Sequence, residues 1–249
     1  MFYIVQPKEK NKLPLRLVFV HGWGSSYQAF SSLAEYFSDE AECVLLDLPG
    51  FGKSDEPKAP MSPADYAEEV AKIISKMPKK KTVIVGHSFG TRVAIHLYNL
   101  HKKSVDGLVF LAGAGLKKKR SLTFKIKAFC MKKVARFMRR FSFLSFLKKL
   151  PMGSRDYQDA TPVMRGALVM AVNEDLAELA KDISCPALLV YGSDDNETPS
   201  EFGRRYEGLM RDAKFFEIKG ENHLSILNSP VAQNLMEEFL KARFMCERF

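Results

Sequence analysis

Five short, nearly uninterrupted apolar runs constrain this chain more than any other feature: Leu15–Val20, Cys43–Leu46, Thr82–Val85, Val105–Leu111 and Ala187–Tyr191. They are too short for helices and do not alternate apolar with polar, so each reads as a strand buried on both faces. Lys214–Ile218 reads as a sixth core strand, and residues 2–5 as a short edge strand. Helical spacing fills the intervals. Tyr27, Phe30, Leu33, Ala34 and Phe37 share one face, as do Tyr66, Val70, Ile73 and Ile74 after Pro63, with Ser62 as the expected N-cap. Further helices fit from Ser88 to about His101, around 200–210, and over 229–243. Strands alternating with helices predict an α/β fold with a mostly parallel central sheet covered on both faces. Between Leu111 and Ala187 no convincing core strand occurs. A bare loop of that length is improbable in a compact domain, so an insertion after the fourth core strand is expected. The expected division is a core over 1–114 and 181–249, with a helical insertion over 115–180.

A chain of 249 residues with 46% apolar and 27% charged residues suits one sizeable globular domain, and excludes a disordered chain. Cys43, Cys130, Cys185 and Cys246 show no CxxC spacing, which predicts reduced thiols in a cytoplasmic protein. The first residues turn charged after Val5, so no signal peptide is expected, and no apolar stretch is long enough to span a membrane. The five histidines are scattered and join no Cys or His cluster, so no metal site is expected.

Gly86-His87-Ser88-Phe89-Gly90 fits G-x-S-x-G, between a strand and a helix. Such a join forces the serine into a tight, strained turn. Its hydroxyl then projects over the C-terminal edge of the sheet, beside the unpaired N–H groups of a helix's first turn. Flanking glycines let neighbouring backbone pass close. No G-K-S/T follows, which excludes a P-loop, and G-x-G-x-x-G spacing is absent.

With four further segments in order, the chain resembles the α/β-hydrolase superfamily, in particular its lidded esterase, lipase and meta-cleavage-product hydrolase branch. Those segments are His21-Gly22-Trp23-Gly24, Asp47 with Gly50-Phe51-Gly52-Lys53-Ser54, Gly192 through Pro199, and Gly220-Glu221-Asn222-His223. The resemblance implies Ser88 as nucleophile, His223 as base and a carboxylate between them in sequence. A serine hydroxyl needs a positioned base, and histidine suits that task. Chemistry alone does not separate Asp194 from Asp195, while Glu197 is a more remote candidate. The family pattern favours Asp195. By resemblance the oxyanion hole takes the backbone N–H groups of Trp23 and Phe89, His21 orients backbone nearby or lines the pocket mouth, and Asp47 is architectural. His87 reads as a structural hydrogen-bonding histidine.

Net charge is +9, yet residues 117–149 hold nine Lys, four Arg and no acid, leaving −4 for the remainder. Six of the nineteen phenylalanines fall in this stretch. By resemblance it is the lid above Ser88, with Phe124, Phe129, Phe137 and Phe141 as candidate pocket residues. A solvated outer face, an anionic lipid surface or an acidic substrate would each account for the cations. Nucleic acid is disfavoured, because no recognition motif accompanies the charge. The expected activity is hydrolysis of a small or medium, largely apolar carboxylic ester, without a cofactor. Carbon–carbon hydrolysis of meta-cleavage type, lysophospholipid or monoacylglycerol hydrolysis, thioester hydrolysis and N-terminal proline cleavage suit the same residues. A non-catalytic ligand-binding protein is the reading from another class. Oligomeric state is not legible in the sequence.

Overall fold

The computed structural model describes residues 1–6, 14–118 and 155–245. Seven strands form one sheet: β1 (Phe2–Gln6), β2 (Leu15–Val20), β3 (Glu42–Asp47), β4 (Lys81–His87), β5 (Gly107–Leu111), β6 (Ala187–Gly192) and β7 (Ala213–Ile218). Their spatial order is β1-β3-β2-β4-β5-β6-β7, with β1 antiparallel to β3 and every other neighbouring pair parallel.

Both side-chain parities of the central strands are buried, which is why their sequences lack alternation. Leu17, Phe19, Cys43, Leu45, Val83, Val85, Val109, Leu111, Leu188 and Val190 face one core. Leu33, Ala34 and Phe37 of α1 (Ser31–Phe37) and Ala232, Met236 and Leu240 of α8 (Pro230–Leu240) close it. On the opposite face α3 (Phe89–Leu100) packs against β4 and β2, and Phe110 of β5 meets Tyr206 of α7 (Glu201–Leu209) with ring centroids 5.6 Å apart. Helix α2 (Pro63–Ser75) packs on α3. It opens on a capping box: the Asp65 N–H donates to Ser62 Oγ at 3.3 Å, and the Ser62 N–H donates to the Asp65 carboxylate at 2.7 Å.

The chain divides into two compact units, Met1–Leu116 with Thr161–Phe249, and Lys117–Ala160. Of the second, the described residues are Lys117, Lys118 and 155–160, which include the short helix α4 (Arg155–Asp159). Helix α5 (Pro162–Asn173) and all but the last residue of α6 (Ala177–Lys181) fall in the expected 115–180 insertion, and both helices belong to the unit that carries the sheet. Among the described residues no helix is long and apolar enough to cross a membrane.

Candidate active site

One residue separates β4 from α3, and it is Ser88, at φ 49° and ψ −112°. A non-glycine residue held at positive φ costs about 1–3 kcal/mol and persists only where its surroundings enforce it. Here they do. The Ser88 N–H donates to Leu111 O at 3.3 Å, and Ser88 O accepts from the N–H groups of Thr91 at 3.1 Å and Ala114 at 3.2 Å. The flanking glycines are compulsory: a Cβ on Gly90 would stand 1.9 Å from Val20 O, and one on Gly86 would stand 2.9 Å from the Gly90 carbonyl. A sidechain-free path thus lets the helix start directly against β2.

His223 follows β7 after a turn at Gly220, whose φ is 81°. Asn222 Oδ1 accepts from the N–H groups of Leu224 and Ser225, both at 3.0 Å, and fixes the loop beyond. His223 is buried, and its Nδ1 donates to Asp195 Oδ2 at 2.8 Å. Asp195 lies on the loop after β6. Its Oδ1 accepts from the N–H groups of Glu197 at 2.8 Å and Thr198 at 2.9 Å, while the Thr198 hydroxyl stands 2.7 Å from Oδ2. Burial acts to raise the Asp195 carboxyl, but the bonds from His223 and Thr198 outweigh it and hold the group below its ordinary range. The neighbouring Asp194 is exposed and accepts from Ser193 Oγ at 2.7 Å. Glu197 takes a different place: its Oε2 is 3.4 Å from His223 Nε2, the nitrogen opposite the one Asp195 engages.

Two residues, Thr198 and Ala112, gain roles that the sequence did not display, and His87 makes a structural hydrogen bond. The Thr198 hydroxyl lies 2.9 Å from Ala112 O and 3.2 Å from His223 Nδ1 as well as against Asp195, so it ties the acid loop to the end of β5. Ala112 itself is held at φ 49°, a second non-glycine residue in the left-handed region. His87, one residue before Ser88, donates from Nε2 to His223 O at 2.8 Å, and the two rings lie 4.8 Å apart. Because a carbonyl only accepts, Nε2 carries the His87 proton. Its Nδ1 is then bare, and it is buried without a partner. Burial first, and the nearby His223 second, push the His87 pKa down to about 4, so the ring is neutral at working pH.

The loop after β2 packs directly on this turn. A Cβ on Gly22 would meet His87 Nδ1 at 2.9 Å and Ser88 Cβ at 3.3 Å. His21 is buried, donates from Nδ1 to Gly22 O at 2.7 Å and accepts the Leu48 N–H on Nε2 at 3.1 Å, with burial as the main cause of its lowered pKa. Trp23 stands edge-on to Phe89 at 5.3 Å and to Phe51 at 4.9 Å. Asp47 organises the next loop by accepting from the N–H groups of Tyr27 at 2.7 Å and Lys53 at 2.8 Å. The remaining histidines are engaged elsewhere: His96 with Glu174 at 2.8 Å and His101 with Glu68 at 3.1 Å. The candidate pocket residues Phe124, Phe129, Phe137 and Phe141 lie outside the described residues. Among the described residues no group of three or more His, Cys, Asp or Glu could hold a metal ion.

A family model described as alpha/beta hydrolase fold matches residues 16–171. The chain belongs to that family. A second model, described as TAP-like protein, matches residues 168–243 of this alpha/beta hydrolase. Its curated relatives include the pimeloyl-[acyl-carrier protein] methyl ester esterase of Vibrio cholerae, 27% identical over 89% of this chain and 92% of that protein. The protein of the same description from Chromobacterium violaceum is 28% identical over 85% of this chain and 88% of its own length. Among solved structures, a lipase-esterase related protein from Clostridium acetobutylicum shares the fold with a TM-score of 0.71 at 21% identity, covering 96% of this chain and 98% of that one. A putative lipase from Acinetobacter baumannii shares it with a TM-score of 0.73 at 19% identity, covering 98% and 88%.

Proposed function

We propose that this alpha/beta hydrolase is a serine esterase that cleaves carboxylic esters of small or medium, largely apolar acyl groups. One observation carries the reading: a buried imidazole bonded through Nδ1 to a buried carboxylate at 2.8 Å, its ring 4.8 Å from that of the residue preceding a strained serine. The relatives described as methyl ester esterases support an ester as the bond cleaved.

With Nδ1 donating to Asp195, the Nε2 lone pair of neutral His223 is the base for the Ser88 hydroxyl. Ser88 Oγ bonds to the acyl carbon, the proton moves to Nε2, and the oxyanion is held by the N–H groups of Phe89 and Trp23. Collapse breaks the bond to the alcohol oxygen, which leaves with the proton from Nε2. Water then attacks the acyl-enzyme, His223 takes its proton and returns it to Ser88 Oγ, and the acid departs. Electrons and protons balance without a cofactor.

The test is labelling with a fluorophosphonate beside a panel of p-nitrophenyl esters from acetate to palmitate. Labelling and turnover of the native chain, both abolished in Ser88→Ala, are expected. A native chain that neither labels nor turns over any ester overturns the reading.

A further inference from the structure

Glu197 occupies an unusual place for an acidic side chain. Its main-chain N–H is fixed by Asp195 Oδ1 at 2.8 Å, so its Cα is pinned beside the carboxylate that orients His223. From there the side chain, 74% exposed, reaches the far nitrogen of the same imidazole, with Oε2 3.4 Å from Nε2. Among the described residues no lysine or arginine pairs with this carboxylate. Among the described residues, the other groups around the His223 ring bring no positive charge to it: Asp195 is bonded to Nδ1, Thr198 supplies a hydroxyl, and His87 beneath the ring is neutral.

Resting on the proposed esterase chemistry, the consequence follows from which substrate atom meets Nε2. That nitrogen delivers the proton to the departing alcohol oxygen, so the oxygen must come within about 3 Å of it. With Glu197 Oε2 3.4 Å from the same nitrogen, groups one or two bonds beyond that oxygen come within roughly 4–6 Å of the carboxylate, a range in which a unit charge is felt.

We infer that Glu197 determines leaving-group specificity, selecting esters whose alcohol is cationic or neutral and rejecting those whose alcohol carries a negative charge. At this separation, in a largely aqueous setting, one unit charge changes the rate constant by about 3- to 10-fold. The preference weakens with salt, because the screening length falls from about 10 Å at 0.1 M to about 3 Å at 1 M.

The experiment holds the acyl group constant. Butyrylcholine, its neutral isostere 3,3-dimethylbutyl butyrate, and the butyryl ester of glycolate are compared by kcat/KM in the native chain, Glu197→Gln and Glu197→Lys. The cation-to-anion ratio within each protein is the readout, so a general loss of activity in a variant does not move it. The native ratio is expected to exceed about 10, to fall about tenfold or more toward one in Glu197→Gln and to drop below one in Glu197→Lys. As a second measurement, Ser88 is phosphonylated with two methylphosphonothioates that differ only in carrying a trimethylammonium or a dimethylbutyl leaving group. This needs no particular acyl fit, and the cationic reagent is expected to react faster only where Glu197 is present. Reaction at Ser88 with ratios that stay within twofold across the three proteins overturns the leaving-group inference and leaves the esterase reading standing. No reaction of the native chain with any ester or phosphonate overturns both.

Discussion

At the scale of single residues, the two adjacent acids after β6 offer the cleanest comparison. Asp195 is buried and bonded to His223, whereas the Asp194 side chain is exposed and accepts from Ser193 Oγ. Asp195→Asn is expected to lower kcat on a p-nitrophenyl ester by about 10⁴-fold, since the imidazole loses both its orientation and its counter-charge. Asp194→Asn should change kcat by less than about threefold, as surface substitutions do. Comparable losses in the two variants would contradict this assignment. His87 yields a pH prediction. Its folded value of about 4 lies below the 6.5 of an unfolded histidine, so the unfolded chain binds the extra proton. Stability from this group is therefore complete above pH 6.5 and is lost as pH falls toward 4, by up to about 3 kcal/mol. Denaturant titrations at stepped pH should show that slope, and His87→Gln should flatten it.

At the scale of elements, the join of β4 to α3 depends on a gap where no side chain fits. Gly90→Ala places a methyl carbon 1.9 Å from Val20 O, so α3 must move away from β2. A loss of about 3 kcal/mol or more in unfolding free energy, together with slower fluorophosphonate labelling of Ser88, is expected. Unchanged labelling would show that the turn tolerates the shift. The elements themselves were legible in the sequence because burial on both faces leaves a compositional mark: Leu15–Val20 and Ala187–Tyr191 could scarcely sit anywhere else. The elbow was legible because its two glycines are required by sterics and its serine stands at the strained join between them. Ala112 and Thr198 were not. An alanine carries no sign that its backbone is left-handed, and a threonine three residues past an aspartate has many local partners, so which one it takes depends on β5 arriving alongside. Glu197 was visible only as another carboxylate near the acid position. That its side chain meets Nε2 instead of Nδ1 follows from the direction in which the loop leaves Asp195.

At the scale of the whole molecule, the sheet separates a buried ion cluster from the candidate active site. Arg16, Glu42 and Lys80 form a buried ion triad, with Glu42 accepting from Arg16 on one oxygen and from Lys80 at 2.7 Å on the other. Arg16 pairs in register with Thr82 at the start of β4, and Ser88 follows that strand at its far end. Six residues of extended chain separate the levels by roughly 20 Å. Glu42→Gln strands two cations in the interior and is expected to cost about 3–5 kcal/mol of stability. At 20 °C its kcat should match the native value, and a fall in kcat without a fall in unfolding free energy would show the two ends to be coupled.

The bond from His87 reaches the main chain of His223, not its imidazole. Clipping that imidazole back to a methyl group therefore gives up the bond to Asp195 but leaves this main-chain tether whole. A His223→Ala protein should be an inert cast of the native cleft, able to hold an uncut ester long enough for mass spectrometry to read which molecule the cell supplies.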